Sequence, residues 1–239
     1  MPYFHGRYID RVVVLTGAGI SAESGVPTFR DADGLWERHD PMDIATPEAF
    51  SRDPALVYRF YNARRAQLSG VQPNAAHEAL ARLQREFQGE VFLVTQNVDD
   101  LHERGGSPQV CHMHGELLAM ACTACERSMR AEGEFDGASS CPACGASGKL
   151  RPDVVWFGEL PYHMEEIETR LAACDMFVAI GTSGLVYPAA GFVRRALAAG
   201  ATTVEINSQL SEVTELFHHQ RKGLATETVS ALVDELLGH

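Results

Sequence analysis

Four short apolar runs punctuate the chain: Val12–Leu15, Val91–Val94, Met176–Ile180 and Thr203–Ile206. Each is rich in β-branched or bulky apolar residues and gives way to small or polar ones, the pattern of strands buried on both faces of a parallel sheet. Between them the period changes. From Ala75 to Phe87 the apolar residues Ala76, Leu80, Leu83 and Phe87 fall at i, i+4, i+7 and i+11, one face of a helix, and 189–199 and 227–237 read the same way. Alternating strands and helices predict an α/β fold, a Rossmann-like doubly wound parallel sheet. Two stretches break the alternation. Residues 31–72 look helical, and residues 111–153 carry paired cysteines and a stretch rich in glycine and serine. The expected organisation is one domain over 1–239. Its Rossmann-like part takes about 8–30, 73–110 and 154–239, and a smaller inserted part takes the helical excursion and the cysteine module.

Composition narrows the function classes. The 239 residues are 45% hydrophobic and 22% charged, ordinary for a globular chain that can bury one sizeable core. The net charge of −12 lacks the basic footprint of a duplex-DNA binder, so no direct nucleic-acid partner is expected. No apolar run reaches the length of a membrane span, and the first residues lack the charged and apolar regions of a signal peptide. Six cysteines, four of them in metal-ligand spacing, fit a reducing compartment, and the cytoplasm is expected.

Two motifs carry chemistry by spacing. Cys122-x2-Cys125 and Cys141-x2-Cys144, fifteen residues apart, offer four thiolates for one tetrahedral Zn²⁺. With every position filled by sulfur, such a metal is structural, and 111–153 is a zinc module. Redox pairing is the competing explanation. The second motif follows the first strand, where Gly17-Ala18-Gly19-Ile20-Ser21-Ala22 has the Gly-x-Gly-x-x-Ala form that lets backbone approach a pyrophosphate at a helix start. A plain dinucleotide fold would place an acidic residue about 20 positions on, at the end of a second strand. Here Pro27 intervenes with no strand, which weakens a dehydrogenase reading.

Polar residues follow the other strands. Gln96-Asn97-Val98-Asp99 follows the second, Gly181-Thr182-Ser183-Gly184 the third and Asn207-Ser208 the fourth. In open α/β sheets, ligands gather at these carboxyl ends, although helix caps and turns would use the same residue types. His112 and His114 precede the first cysteine pair, and an imidazole suits general-base work at neutral pH.

Together these motifs resemble the sirtuin family. The segment from Gly17 to Arg30 is similar to its cofactor loop, Gln96–Asp99 to its Gln-Asn-x-Asp motif, and His114-Gly115 to its His-Gly pair. The resemblance spans about residues 11–225, with the motifs in family order. It implies NAD-dependent removal of acyl groups from protein lysines. The acyl oxygen attacks C1′ of the nicotinamide ribose and nicotinamide leaves. His114 takes a proton from a ribose hydroxyl, and free lysine and O-acyl-ADP-ribose result. It assigns catalysis to His114 and Asn97. NAD contact falls to Gly17, Ala18, Gly19, Ser21, Glu23, Thr28, Phe29, Arg30, Trp36, Gln96, Asn97, Val98, Asp99, Gly181, Thr182, Ser183, Asn207 and Ala225. Val154 and Phe157, in a segment similar to the family's peptide-binding strand, fall to the substrate. Thr28 stands where many sirtuins have Asp. With the Tyr61-x-x-Arg64 pair and the small Ala45, it resembles a subgroup that removes succinyl and malonyl groups, where a phenol and a guanidinium grip a carboxylate. The implied partners are acylated-lysine proteins or peptides, and a monomer is compatible with the sequence. Mono-ADP-ribosyl transfer, and a non-catalytic NAD or zinc-ribbon binding module, are the alternatives. Cys111 receives no role, and Cys174 is read as a core residue.

Overall fold

The computed structural model describes residues 3–27 and 40–238. A small hairpin, β1 (Tyr3–Phe4) and β2 (Arg7–Tyr8), leads into β3 (Arg11–Thr16). After the glycine loop, the helical excursion is divided into α1 (Pro41–Ile44), α2 (Pro47–Arg52) and α3 (Pro54–Leu68). Each begins with a capping side chain followed by proline at the first helical position. Asp40 accepts from Met42 N, Thr46 from Ala49 N and Asp53 from Leu56 N. Such pairs satisfy orphan N–H groups and preset the helical φ, so three short helices form instead of one long one.

Then come α4 (Ala75–Glu86), capped by Asn74, and β4 (Glu90–Thr95), α5 (Leu101–Arg104) and β5 (Cys111–His112). The cysteine module supplies β6 (Gly115–Cys122), β7 (Ser128–Arg130) and β8 (Leu150–Val154). The chain returns through α6 (Met164–Ala173), β9 (Met176–Ile180), α7 (Phe192–Ala198), β10 (Thr202–Asn207) and β11 (His219–Lys222) to α8 (Ala225–Leu237).

Six strands form one parallel sheet in the order β11-β10-β9-β3-β4-β5. The four apolar runs are its central strands. The two outer strands are short or polar, which is why hydrophobicity did not mark them. Alternation along β3 splits the core in two. Val12 and Val14 pack with Leu80, Leu83, Val229 and Val233 beneath α4 and α8. Val13 and Leu15 pack with Ile167, Leu171, Phe192 and Val193 beneath α6 and α7. Both faces are therefore covered, as a parallel sheet requires. The expected helix at 189–199 is a 3₁₀ turn at Ala189–Gly191 followed by α7.

The antiparallel sheet β7-β6-β8 stands apart from this one. Helix α3 joins it: the Tyr58 hydroxyl donates to Leu150 O at 2.6 Å, and the ring packs with Met120, Phe135, Cys122 and Cys141. Cys174 is a buried core residue. Among the described residues, no helix is long and apolar enough to cross a membrane.

Candidate active site

Because all six strands are parallel, their carboxyl ends share one edge. The chain moves from β3 outward to β4 and β5, then returns to β9 on the opposite side of β3. The loops after β3 and β9 therefore diverge at a topological switch point, the usual ligand crevice of such sheets. Gly17 N donates to Ile180 O and Gly19 N to Gly181 O, each at 2.9 Å. A Cβ on Gly19 would lie 2.7 Å from Gly181 Cα. Gly181 has φ +62°, and its Cβ would lie 2.5 Å from Ile20 N. These glycines are required by the contact between the two loops, whatever else they admit.

The α-helix expected after the glycine loop is replaced by two 3₁₀ turns, Ala18–Ile20 and Ala22–Ser24. Gly25 at φ +87° ends the second, and Pro27 follows. Glu23 accepts from the N–H and hydroxyl of Thr226, tying the loop to the first turn of α8. Ala225 opens that helix and is buried in the core. Asn207 Nδ2 donates to Thr182 O at 2.7 Å, and Ser183 O accepts from Glu212 N. Thr28, Phe29, Arg30 and Trp36 lie outside the described residues.

A buried polar hub sits beneath the loop. The Ser21 hydroxyl donates to Asp99 Oδ2 and accepts from Asn97 Nδ2, both at 3.1 Å. Its single proton is spent on the carboxylate, so at 3.4 Å from His77 Nε2 it accepts again. His77 Nδ1 in turn accepts from Asn74 N at 3.2 Å, which leaves His77 neutral with its proton on Nε2. Burial pushes its pKa down to about 4, against the charge of Glu103. Burial raises the Asp99 carboxyl, opposed by hydrogen bonds from Leu101 N and Ser21. Asp99 therefore both accepts from the first N–H of α5 and belongs to the hub. Next to it, the Thr16 hydroxyl donates to Thr95 Oγ1 at 2.8 Å and accepts from His102 Nε2 at 2.9 Å. Asn97 N donates to Thr95 Oγ1, so the ends of β3 and β4 are fixed together.

His112 and His114, two positions apart, differ in chemistry. Both nitrogens of His112 face acceptors, Glu103 Oε1 at 2.7 Å and Asn97 O at 3.3 Å, so both carry protons. Burial opposes that charge most strongly, but the bond and charge of Glu103, with Glu116 and Asn97 O, together outweigh it and the pKa is raised. His114 has one such partner: Nδ1–H donates to Gln96 O at 3.1 Å. Burial lowers its pKa against that bond, leaving Nε2 as an unprotonated base at neutral pH. Gly115 follows at φ +76° (a Cβ there would lie 2.2 Å from Asp153 O), and Val155 N donates to His114 O.

A cleft lined by Val26, Pro27, Leu68, Val71, Asp99 and Leu117 receives Arg64. Its guanidinium stands 5.7 Å from the Phe60 ring centroid and has no hydrogen-bond or ion-pair partner among the described residues. Burial lowers its pKa, opposed by Tyr61 and Asp99. Tyr61, Ala45 and Val154 share one apolar cluster with Trp156 and Leu117, and Val98 packs against it. Phe157 is about half exposed, and its N–H donates to Ala45 O at 2.9 Å.

The sulfurs of Cys122, Cys125, Cys141 and Cys144 lie within 4.8 Å of one another, with Cys122–Cys144 at 3.8 Å and Cys125–Cys141 at 3.9 Å. A tetrahedral zinc with Zn–S bonds of about 2.3 Å separates its sulfurs by about 3.8 Å. In both knuckles the residue after the second-in-pair cysteine turns left-handed or nearly folds back on the first: Glu126 (φ +58°) donates its N–H to Cys122 O, and Gly145 (φ +76°) donates to Cys141 O. The donor set fits a structural zinc with no open position. His112 and His114 stand in other hydrogen bonds and are not part of this cluster.

His77, His102, Glu103 and Trp156 join the site through geometry alone. The signals available for them were the Asn74-x-x-His77 capping spacing, the position of His102 and Glu103 one turn after Asp99, and Trp156 within the Val154–Glu159 segment.

Comparison with known proteins gives concordant matches. The Sir2 family model matches residues 17–188. An NAD-dependent protein deacylase of Caulobacter vibrioides is 54% identical over 234 residues, 97% of this chain and 98% of that protein. The crystal structure of a Sir2 homologue in complex with NAD superposes with a TM-score of 0.86 at 38% identity, covering 98% of this chain and 96% of the other. A Sir2 variant bound to a deacetylated p53 peptide and 3′-O-acetyl-ADP-ribose gives 0.80 at 28% identity, over 94% and 93%.

Two outcomes are expected. Because His77 is held neutral, the folded state resists its protonation while the unfolded chain takes up a proton near pH 6.5. Its contribution is complete above that value and is lost as pH falls toward about 4. Urea titrations between pH 6.5 and 4.5 should show stability declining, and His77→Gln should flatten that decline by up to about 1.4 kcal/mol per pH unit. An unchanged slope would refute the neutral assignment. For the cysteine cluster, metal analysis should find one zinc per chain. Cys141→Ser should retain far less and melt at lower temperature, whereas stoichiometric zinc in that variant would reject the four-sulfur site.

Proposed function

The chain belongs to the Sir2 family, and from that premise we propose that it removes acyl groups from protein lysines in an NAD-dependent reaction, with acetyl and acidic acyl groups as substrates. One observation carries the catalytic assignment. At the strand edge, the unprotonated imidazole of His114 is aligned through Gln96 O, adjoining the hub of Ser21, Asn97 and Asp99.

When bound, NAD supplies an ADP-ribosyl group with nicotinamide as its leaving group. The chain's residues do the rest. The backbone of Gly17–Gly19 is pressed against Gly181, with the Thr182 and Gln96 side chains close by, and a glycine loop at the switch point suits a pyrophosphate. Thr182, Ser183 and Asn207 offer polar groups at the next strand ends. Ser21 donates to Asp99 and accepts from Asn97, so the amide and carboxylate are held in one orientation and would be the groups to meet the nicotinamide ribose and carboxamide. His114 Nε2 accepts the proton of a ribose hydroxyl, and the Nδ1–H bond to Gln96 keeps the ring in the tautomer that can do so. The zinc of the four cysteines takes no part in this. It holds β6 and β8, between whose ends His114 and Val155 pair.

The acyl preference rests on Arg64 and Tyr61. A half-buried guanidinium that meets no acidic hydrogen-bond partner among the described residues is well suited to gripping a carboxylate. Ala45 and Val154 leave a small apolar lining for the acyl chain. Protein or peptide substrates suit the exposed Phe157 and the open edge at Val154–Val155, where an extended chain can pair its backbone.

Nicotinamide release should require an acylated peptide, and His114→Tyr should lower turnover by roughly 10²- to 10⁴-fold. Arg64→Met should cut kcat/KM for a succinyl peptide roughly 10- to 100-fold more than for the acetyl peptide of the same sequence. Release without an acyl peptide would reject the reaction, and equal losses on the two peptides would reject the acidic-acyl preference.

A further inference from the structure

Trp156 is 2% exposed and Tyr61 3%. The indole Nε1–H donates to the Tyr61 hydroxyl oxygen at 3.0 Å. An indole nitrogen has a proton and no usable lone pair, so it can only donate. At this contact the Tyr61 oxygen must therefore accept, and its own proton is turned elsewhere. Trp156 is Tyr61's only hydrogen-bond partner among the described residues. Burial raises the Tyr61 pKa, against Arg64 and the Trp156 bond, so the phenol keeps its proton at neutral pH.

The indole itself is held on several sides. Arg151 stacks over it with Cζ 3.6 Å from the ring centroid, and the same guanidinium makes two hydrogen bonds to Glu159 at 2.6 and 2.9 Å. Arg151 Nη2 also donates to Val154 O at 2.9 Å. Glu159 Oε2 accepts from Trp156 N at 2.8 Å, and the Phe50 ring lies 5.2 Å away. This is more scaffolding than an ordinary core tryptophan needs, and its one polar output is the N–H aimed at Tyr61.

We propose that Trp156, held by Arg151 and Glu159, is a specificity-positioning residue: by occupying an acceptor site of Tyr61 it turns the phenol into a fixed donor for the carboxylate of an acidic acyl group. The inference rests on the reading of Tyr61 and Arg64 given above and extends it to a residue that does not touch the acyl chain. An acetyl group has no carboxylate to receive that proton, so the device bears on acidic acyl groups and not on the deacylation chemistry at His114.

Trp156→Phe keeps an aromatic face beneath Arg151 and removes the N–H together with part of the packed ring, so the acetyl peptide serves as the reference for any general loss of packing. The test measures kcat and KM on acetyl and succinyl peptides of one sequence for the wild type, Trp156→Phe, Tyr61→Phe and the double variant. The ratio of succinyl to acetyl KM should rise roughly 2- to 10-fold in Trp156→Phe, with the succinyl-to-acetyl ratio of kcat moving less. The double variant should be no less selective than Tyr61→Phe alone, since both act through one proton. Circular dichroism and thermal melting of the same preparations show that each variant is folded. If Trp156→Phe alone fails to fold, the double variant, which removes both ends of the hydrogen bond, carries the comparison with Tyr61→Phe. In that case additive loss of selectivity in the double variant overturns the proposal. A selective effect of Tyr61→Phe with none from Trp156→Phe overturns the Trp156 inference and leaves the Tyr61 reading standing. No selective effect of Tyr61→Phe removes both.

Discussion

The candidate site depends on a contact that no side chain could enter. Gly19 and Gly181 place backbone against backbone where the loops after β3 and β9 diverge, and a Cβ on either would meet its neighbour at 2.5–2.7 Å. The strand order creates this meeting: β9 pairs with β3 on one side while β4 pairs on the other. Once the loops are joined, Ser21 is carried inward over β4, within reach of Asn97 and Asp99. A wider separation would let water reach Ser21, and the single direction of its hydrogen bonds would be lost. The glycines thus do two things at once. They close the loop contact, and at Gly17 they leave room for the Thr182 and Gln96 side chains beside it.

The polar groups below the loop are ordered by proton counting. His77 and His102 are buried and neutral, each donating from Nε2 to a hydroxyl that has spent its own proton on another acceptor. His112 carries a charge that Glu103 balances, and His114 keeps a free lone pair. Four imidazoles within one region thereby take three roles, set by what faces each nitrogen. The same logic governs Tyr61, whose proton direction is decided by an indole that can only donate. Within a site of low dielectric, such one-way bonds cost nothing to reorganise during reaction.

How much of this was legible follows from which forces act locally. The central strands announced themselves because burial on both faces demands continuous apolar runs, and α4 because its stripe repeats at helical spacing. β5 and β11 did not, since one is two residues long and the other, His219–Lys222, is polar at the sheet's edge. The division of the excursion at 41–68 was written in Asp40-Pro41, Thr46-Pro47 and Asp53-Pro54, three cap-and-proline pairs whose meaning is local but was read only as general helicity. The cysteine spacing carried its metal set outright, because knuckle geometry is a short-range property. His77, His102 and Trp156 had only weak local signals for the opposite reason: their partners lie 56, 86 and 95 positions away in the chain. The helix expected after the glycine loop failed because Gly25 and Pro27 stop it within two turns.

The two inserted parts are therefore more than appendages to the sheet. Tyr61 and Arg64 come from α3, Trp156 from the segment leaving β8, and Ala45 from the end of α1, and the four meet only if the helices and the cysteine module are docked correctly. Tyr58, three residues before Tyr61, makes that docking through Leu150 O and the apolar residues around Cys122 and Cys141. The four sulfurs fix the turn at which β6 ends and the turn from which the chain runs on to β8. β6 begins at the Gly115 that follows His114, and β8 runs into Val154 and Trp156. A zinc on these sulfurs would thus brace both His114 and Trp156 through the far ends of β6 and β8. On the proposed function, selectivity for the acyl group and alignment of the base share one mechanical support, although they use different residues.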